Sequence, residues 1–332
     1  MTEGYRGVWV FVEQKKGEFL PVGLQLLGKG REIADRLGEK LSALVLGRDV
    51  KDKAKALIGY GADEVLVVDQ PKLEDYQTDL YAHVVTELVQ KERPSVFLLG
   101  ATYNGRDLAP TVAGRLETGL SSDCTRLEID EEGRLVQVVP AFRGMASILC
   151  PDRRPQMATI RPGVFRLPAP DESRTGTVRE VQVDLETVEN RAELVELYLQ
   201  EPEGKPLEEA ETVVAGGAGI GDLEGWKLIE DLAQVLGAAV GATRPPLDEG
   251  WAREDQMIGQ SGKTVRPDLY IGIGISGETQ HVVGIEDAKV VVAINNDPGA
   301  PIFKVADYGI VADYRKVVPV LIERFKKLKN TG

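Results

Sequence analysis

Three short glycine-rich stretches near the C-terminal end gather the residues able to hold a ligand. Gly274–His281 reads GISGETQH and directly follows the apolar run LYIGI. Loops at the carboxyl ends of strands are where open α/β sheets bind their ligands. Gly277 permits close approach to the backbone, while Ser276, Thr279, Gln280 and His281 supply hydroxyl, amide and imidazole groups. His281 is one of two histidines among 332 residues, so its position between two apolar runs raises the question of what it faces. Ile258–Lys263, IGQSGK, places amide, hydroxyl and ammonium donors in a second turn. It lacks the GxxxxGK spacing of a P-loop, so nucleotide hydrolysis is not read from it; a surface turn accounts for it equally well. Gly216–Gly221, GGAGIG, follows the strand-like TVVA and opens a helical segment, the setting in which backbone N–H groups and a helix terminus hold phosphate. Gly217 and Gly219 fit a GxGxxG fingerprint, but the third glycine falls on Asp222. A phosphate cradle and a plain strand-to-helix turn both remain open there.

These loops need a scaffold, and the hydrophobic periodicity supplies one. In the N-terminal part, GVWVFVEQ, LSALVLG, EVLVVD and SVFLLGA read as buried strands. LQLLGKGREIADRLGE, DKAKALIGYGA, DLYAHVVTELVQKE and GRDLAPTVAGRLET read as the helices between them. Buried strands alternating with helices imply parallel βαβ units and a doubly wound sheet. Beyond Leu120 the pieces are shorter and β-rich, as in RLVQVVPAF and QMATIRPGVF. Between Leu167 and Leu207 the chain is rich in Pro, Gly and charge, the texture of a domain connection. A second α/β unit then begins: TVVA, a helix over LEGWKLIEDLAQVLGAAVG, the strands LYIGIGI, KVVVAIN and YGIVAD, and a basic amphipathic helix over RKVVPVLIERFKKLKN. The expected fold class is α/β, with two doubly wound parallel-sheet domains over 1–205 and 206–332, the second Rossmann-like.

Composition narrows the function. The formal charge is −13, with 13 basic and 19 acidic residues in 206–332 and 27 and 34 in the remainder. Neither part is a basic module, which argues against nucleic acid or an anionic membrane as partner. No apolar run approaches the roughly 20 residues of a membrane span, and MTEGYRGVWVFVEQ has no basic or apolar leader pattern, so the expected location is the cytoplasm. Cys124 and Cys150 form no CxxC pair, and with two histidines no four-ligand zinc or iron–sulfur site is credible. Redox chemistry would have to come from a bound organic cofactor.

At Pro267–Pro319, PDLYIGIGISGETQHVVGIEDAKVVVAINNDPGAPIFKVADYGIVADYRKVVP, the sequence resembles the α (large) subunit of the electron transfer flavoproteins. The resemblance continues upstream through LGAAVGATRPPLDEG and QMIGQSGK. It extends more loosely over GADEVLVVD, LLGATYNGRDLAPTVAGRLETGLSSD and ATIRPGVF, so that nearly the whole chain is covered. It implies an electron carrier: a heterodimer with a β subunit that holds AMP, or a second FAD in the electron-bifurcating type. FAD would sit in the C-terminal domain of this chain, and dehydrogenases and quinone-reductase or ferredoxin-type proteins would be its partners.

Residue by residue, the resemblance places Thr243 and Arg244 at the flavin, and Ile258, Gly259, Gln260 and Ser261 in the loop that contacts it. Ser276, Gly277, Gln280 and His281 fall around the flavin and pyrophosphate, and Asn295 and Asp313 at the adenosine end. His281 would lie where a reduced flavin accumulates negative charge. A unit charge at about 4 Å is worth about 4 kcal/mol at an effective dielectric of 20, on the order of 100–200 mV for one electron; a neutral imidazole delivers less. Two departures stand out: Ala218 replaces an arginine usual in the family, and Glu278–Thr279 replace two small or apolar residues. No catalytic acid, base or nucleophile is evident, as suits a carrier. An autonomous flavin- or nicotinamide-dependent oxidoreductase and a non-redox nucleotide-binding module are the competing readings. His83, in the helical LYAHVVTEL, reads as structural, Cys124 and Cys150 as ordinary thiols, and Arg106 and Asp107 as either a subunit contact or a helix cap.

Overall fold

The computed structural model describes residues 4–141, 144–192, 194–196 and 205–329. The chain divides into two compact units, 1–198 and 199–332. The division falls within 197–204, outside the described residues, as do Phe142 and Asn330, the ends of two expected elements.

Unit 1 is built on strands β1 (Val8–Phe11), β2 (Leu41–Gly47), β3 (Glu64–Asp69), β4 (Val96–Gly100) and β5 (Leu120–Cys124). They are followed by β6 (Arg126–Ile129), β7 (Leu135–Ala141), β8 (Gly144–Ile148), β9 (Gln156–Ile160) and β10 (Thr177–Glu180). Among the described residues the main sheet has the order β10-β3-β2-β1-β4-β9-β5, and every pairing in it is parallel. Helix α1 (Pro21–Leu37) covers one face, α2 (Thr78–Glu92) and α3 (Tyr103–Arg115) the other. The alternation of strand side chains sorts the core: Val8, Val10, Ala43 and Val45 pack with α1, while Trp9, Phe11, Leu44 and Leu46 pack with α2 and α3. Strands β6, β7 and β8 form a separate antiparallel sheet.

Two expectations for this unit need correction. DKAKALIGYGA is two four-residue helical pieces, Lys51–Ala54 and Ala56–Gly59, rather than one helix. The expected connection from Leu167 includes β10, an exposed polar edge strand that carries no hydrophobic alternation. Arg179 anchors it, with Nε donating to Glu64 and Nη1 to Glu92, both at 2.9 Å. Val181, Val183 and Leu185 beyond it are buried in the core of unit 1.

Unit 2 comprises β11 (Thr212–Gly216), α4 (Leu223–Leu236), β12 (Ala239–Ala242), the short α5 (Arg244–Asp248) and β13 (Leu269–Ile273). The one-turn α6 (Thr279–Val282), β14 (Val291–Asn295), β15 (Tyr308–Val311) and α7 (Tyr314–Lys329) complete it. The order among the described residues is β12-β11-β13-β14-β15, again all parallel. Helices α4 and α7 pack on one face through Trp226, Ile229, Leu232, Tyr314 and Val318. Arg315, Lys316, Arg324, Lys326, Lys327 and Lys329 of α7 face solvent. On the other face Val213, Ala215, Ile258, Tyr270, Ile285 and Ile302 form the core. The helix expected to run through GAAVG instead stops at Leu236, where the Gly237 N–H donates to the last-turn carbonyls of Ala233 and Gln234. The small residues that follow make strand β12.

Candidate functional site

The chain crosses from β11 to β12 on one side and later to β13 on the other, so the carboxyl ends of β11 and β13 form a topological switch point. The loops leaving these two strands touch backbone to backbone. Gly217 N–H donates to Ile273 O at 3.0 Å and Gly219 N–H to Gly274 O at 2.9 Å. A Cβ on Gly219 would lie 2.8 Å from Gly274 O, closer than carbon and oxygen pack, so glycine is required by contact. Ile220 and Gly221 donate to Gly217 and Ala218 within the turn. The N-terminus of α4 is closed by its own Asp222, which accepts from Gly225 N–H at 2.7 Å and pairs with Arg315 at 2.7 Å. With four of its N–H groups consumed and that of Ala218 left without an acceptor among the described residues, GGAGIG serves mainly as a packing turn.

The loop after β13 is the opposite case. The N–H groups of Ile275, Ser276, Gly277, Glu278, Thr279 and Gln280 have no hydrogen-bond acceptor among the described residues. The loop's carbonyls, by contrast, fix it: Ser276 O accepts from Ile302 N–H and Ile275 O from Asn295 Nδ2, both at 2.9 Å. Gly277 holds φ +90° against the Ile302 backbone, a conformation and a contact that a side chain would not tolerate. A run of unspent backbone donors at a strand's carboxyl end is suited to an anion.

A cavity of about 400 Å³ opens here, within the range of small-molecule sites. Thr243, Arg244, Ile258, Gly259, Gln260, Ser261, Ser276, Gln280, His281 and Asn295 all line it. Gly277 does not; it supports the loop from behind. Asp313 lines an adjoining hollow of about 190 Å³ that shares Gly219, Gly274 and Asn295 with the first. IGQSGK therefore belongs to the cavity, as a tight turn closed by Gly259 N–H to Lys263 O at 3.0 Å and Lys263 N–H to Met257 O at 2.7 Å. Asn295 is spent inside the protein: its Nδ2 holds Ile275 and its Oδ1 accepts from Asp297 N–H at 2.9 Å.

His281 is 6 % exposed and has both ring nitrogens bonded within the protein. Nδ1 lies 3.0 Å from Ile258 O and Nε2 2.7 Å from the hydroxyl of Tyr270. Burial pushes its pKa down to about 4, outweighing the Ile258 contact, so the ring is neutral at neutral pH. Of a positive charge and a neutral imidazole at this position, the structure favours the neutral ring. The cationic part falls to Arg244, exposed on the cavity and held charged by Asp248 at 2.9 Å. Among the described residues lining the cavity Arg244 is the one cation, against the carboxylates of Glu278 and Asp297, and Ala218 lines it without a charge.

Two of these residues carried little sequence signal. Asp297 sits in a polar turn, NNDPG, that reads as punctuation. Tyr270 is fully buried in the apolar run LYIGI, where an aromatic reads as core. Away from the cavity, His83 lies 3.4 Å from Glu87 one helical turn on. Cys124 is buried, with its thiol pushed up to about 12 chiefly by that burial. Arg106 pairs with Asp123 at 3.1 Å, and Asp107 accepts from Tyr76 at 2.6 Å; the cap of α3 is Thr102, bonded to Gly105 N–H at 2.9 Å.

A doubly wound parallel sheet with its cavity at the switch point defines a nucleotide- or flavin-binding class of domain. Comparison with known proteins narrows this. Residues 8–186 match the model of the electron transfer flavoprotein domain, and 206–286 that of the electron transfer flavoprotein FAD-binding domain. The electron transfer flavoprotein subunit alpha of Thermoanaerobacterium thermosaccharolyticum is 48% identical, covering 98% of this chain and 99% of its own. Protein FixB of Clostridium saccharobutylicum is 46% identical, covering 98% and 97%. The acryloyl-CoA reductase electron transfer subunit beta of Anaerotignum propionicum is 40% identical, again covering 98% and 97%. The chain belongs to the electron transfer flavoprotein family, in its α-subunit group. No helix among the described residues is long and apolar enough to cross a membrane.

Proposed function

We propose that this chain is the α subunit of a heterodimeric electron transfer flavoprotein, binding FAD in a domain of residues 206–332 and passing electrons between dehydrogenases and acceptor proteins. The observation that carries this reading is the row of unspent N–H groups from Ile275 to Gln280 beside the cavity at the switch point. Neutral backbone donors, with the Ser276 hydroxyl, fit a pyrophosphate. Arg244, Gln260 and Ser261 would hold the isoalloxazine end, and Asn295 and Asp313 would border the adenosine end. Bound, the flavin supplies the redox chemistry. This chain orients it, shields one side with buried Ile258 and His281, and offers Arg244 as the charge that favours an electron-rich ligand. Relatives named as subunits, one of them an electron transfer subunit of acryloyl-CoA reductase, support a β partner and protein redox partners.

The test is co-expression with the small subunit, followed by flavin and AMP quantification and a stepwise reductive titration. One FAD and one AMP per heterodimer is the outcome for a one-electron carrier; two FADs, one reduced directly by NADH, is that for an electron-bifurcating complex. A well-folded complex without flavin would overturn the reading and favour a non-redox nucleotide-binding module.

A further inference from the structure

We infer that Tyr270 is a positioning residue of the cavity: its hydroxyl fixes His281 as the neutral imidazole protonated on Nδ1, and through that ring it holds the Ile258–Ser261 turn in place. The assignment follows from what each atom can do. Ile258 O is a carbonyl and only accepts, so the Nδ1 atom 3.0 Å away carries the proton. Nε2 of the neutral ring is then an acceptor, and the Tyr270 hydroxyl at 2.7 Å donates to it. Tyr270 is 0 % exposed, so water does not compete for this bond, and the ring has neither a free N–H nor a lone pair to offer the cavity.

The turn is tied directly to α6 by Gln260 N–H to Gln280 O at 2.7 Å, and just beyond both, Val265 N–H bonds Gly284 O at 2.9 Å. The bond through His281 is the one link among these made by side chains, and Tyr270 anchors its far end in β13. The charged groups nearby are Glu278 on the loop leading into α6, Arg244 across the cavity and Lys263 in the turn. Arg244 is paired with Asp248 and Lys263 with Glu208, and no carboxylate or cation is hydrogen-bonded to the ring among the described residues. The Ile258 carbonyl favours the charged imidazolium, but burial opposes it more strongly. The consequence rests on the flavin reading above: the charge around a bound flavin stays constant through the range in which histidines ordinarily titrate, so electron uptake is not linked to a proton on His281.

The test uses the full chain purified with its partner subunit and flavin, labelled with ring-15N histidine. Only this chain is labelled and then assembled with the unlabelled partner, so a His83→Gln background leaves a single labelled histidine to observe. The expected spectrum is that of the neutral Nδ1–H tautomer, without titration between about pH 5 and 8. In Tyr270→Phe, Ile258 O still holds the Nδ1 proton but Nε2 loses its donor; the Nε2 resonance shifts, the ring begins to titrate in that window, and the flavin midpoint potential acquires a matching pH dependence. An Nε2–H tautomer, a titrating ring in the unsubstituted complex, or a Tyr270→Phe spectrum identical to it would each overturn the inference. Should Tyr270→Phe fail to fold, the titration of the unsubstituted complex decides alone. Should the complex carry no flavin, the tautomer is still measured, and only the functional reading fails.

Discussion

At the scale of single residues, the cavity's charge balance is its least expected property. Glu278 and Asp297 place two carboxylates on a lining whose one cation among the described residues, Arg244, is already paired, so a pyrophosphate would be held by neutral donors against local repulsion. Glu278→Gln is therefore expected to tighten FAD binding about two- to fivefold, the modest size typical of an exposed charge. The gain should shrink as salt screens the repulsion. Flavin dissociation constants at low and high ionic strength would check both statements, and an unchanged or weaker affinity would refute them. His281 was legible as a site residue because a histidine in a glycine loop after a strand is conspicuous. Its role was not legible, because one of its partners is a backbone carbonyl and the other a tyrosine that looks like core.

At the scale of elements, the long helices and buried strands follow from periodicity, and the failures cluster where periodicity is silent. Strand β12 is four small or apolar residues directly after a helix, so only the Gly237 cap separates the two. Strand β10 is polar and exposed, and its place is set by Arg179 rather than by an apolar stripe. The segment after β10 is pinned to α2 by Asp79, which accepts from the Arg191 backbone N–H and Nε at 3.1 Å and from Nη2 at 2.7 Å. The Arg191 hydrogen bonds hold the Asp79 carboxyl down at about 2, against about 3.9 for an unperturbed aspartate. The folded pKa is the lower one, so this tether stabilises above about pH 4 and is lost as pH falls towards 2. Hydrogen-exchange protection near Arg191, measured relative to the intrinsic rate at each pH, should fall across that window. In Asp79→Asn it should already be low at neutral pH; equal protection in both proteins would argue against the tether.

At the scale of the whole molecule, each unit has its own buried core on both faces of its own parallel sheet, and the cavity lies wholly in the second. FAD should therefore protect unit 2 selectively, by about 2.7 kcal/mol when free flavin is about a hundredfold above its dissociation constant. Hydrogen exchange with and without flavin would test this: slowed exchange confined to residues 205–329 is the expected pattern, and equal slowing in unit 1 would contradict it. The hydrogen bonds that bind Gly217 and Gly219 to Ile273 and Gly274 also bear on attempts to redesign this protein for a nicotinamide dinucleotide. Completing the familiar fingerprint by placing glycine at Asp222 would remove the cap of α4 and the partner of Arg315, yet the N–H groups of Gly217, Gly219, Ile220 and Gly221 would stay bonded within the fold. Retargeting would have to start from the Ile275–Gln280 loop, because the turn that looks like the address is in fact the hinge pin of the fold.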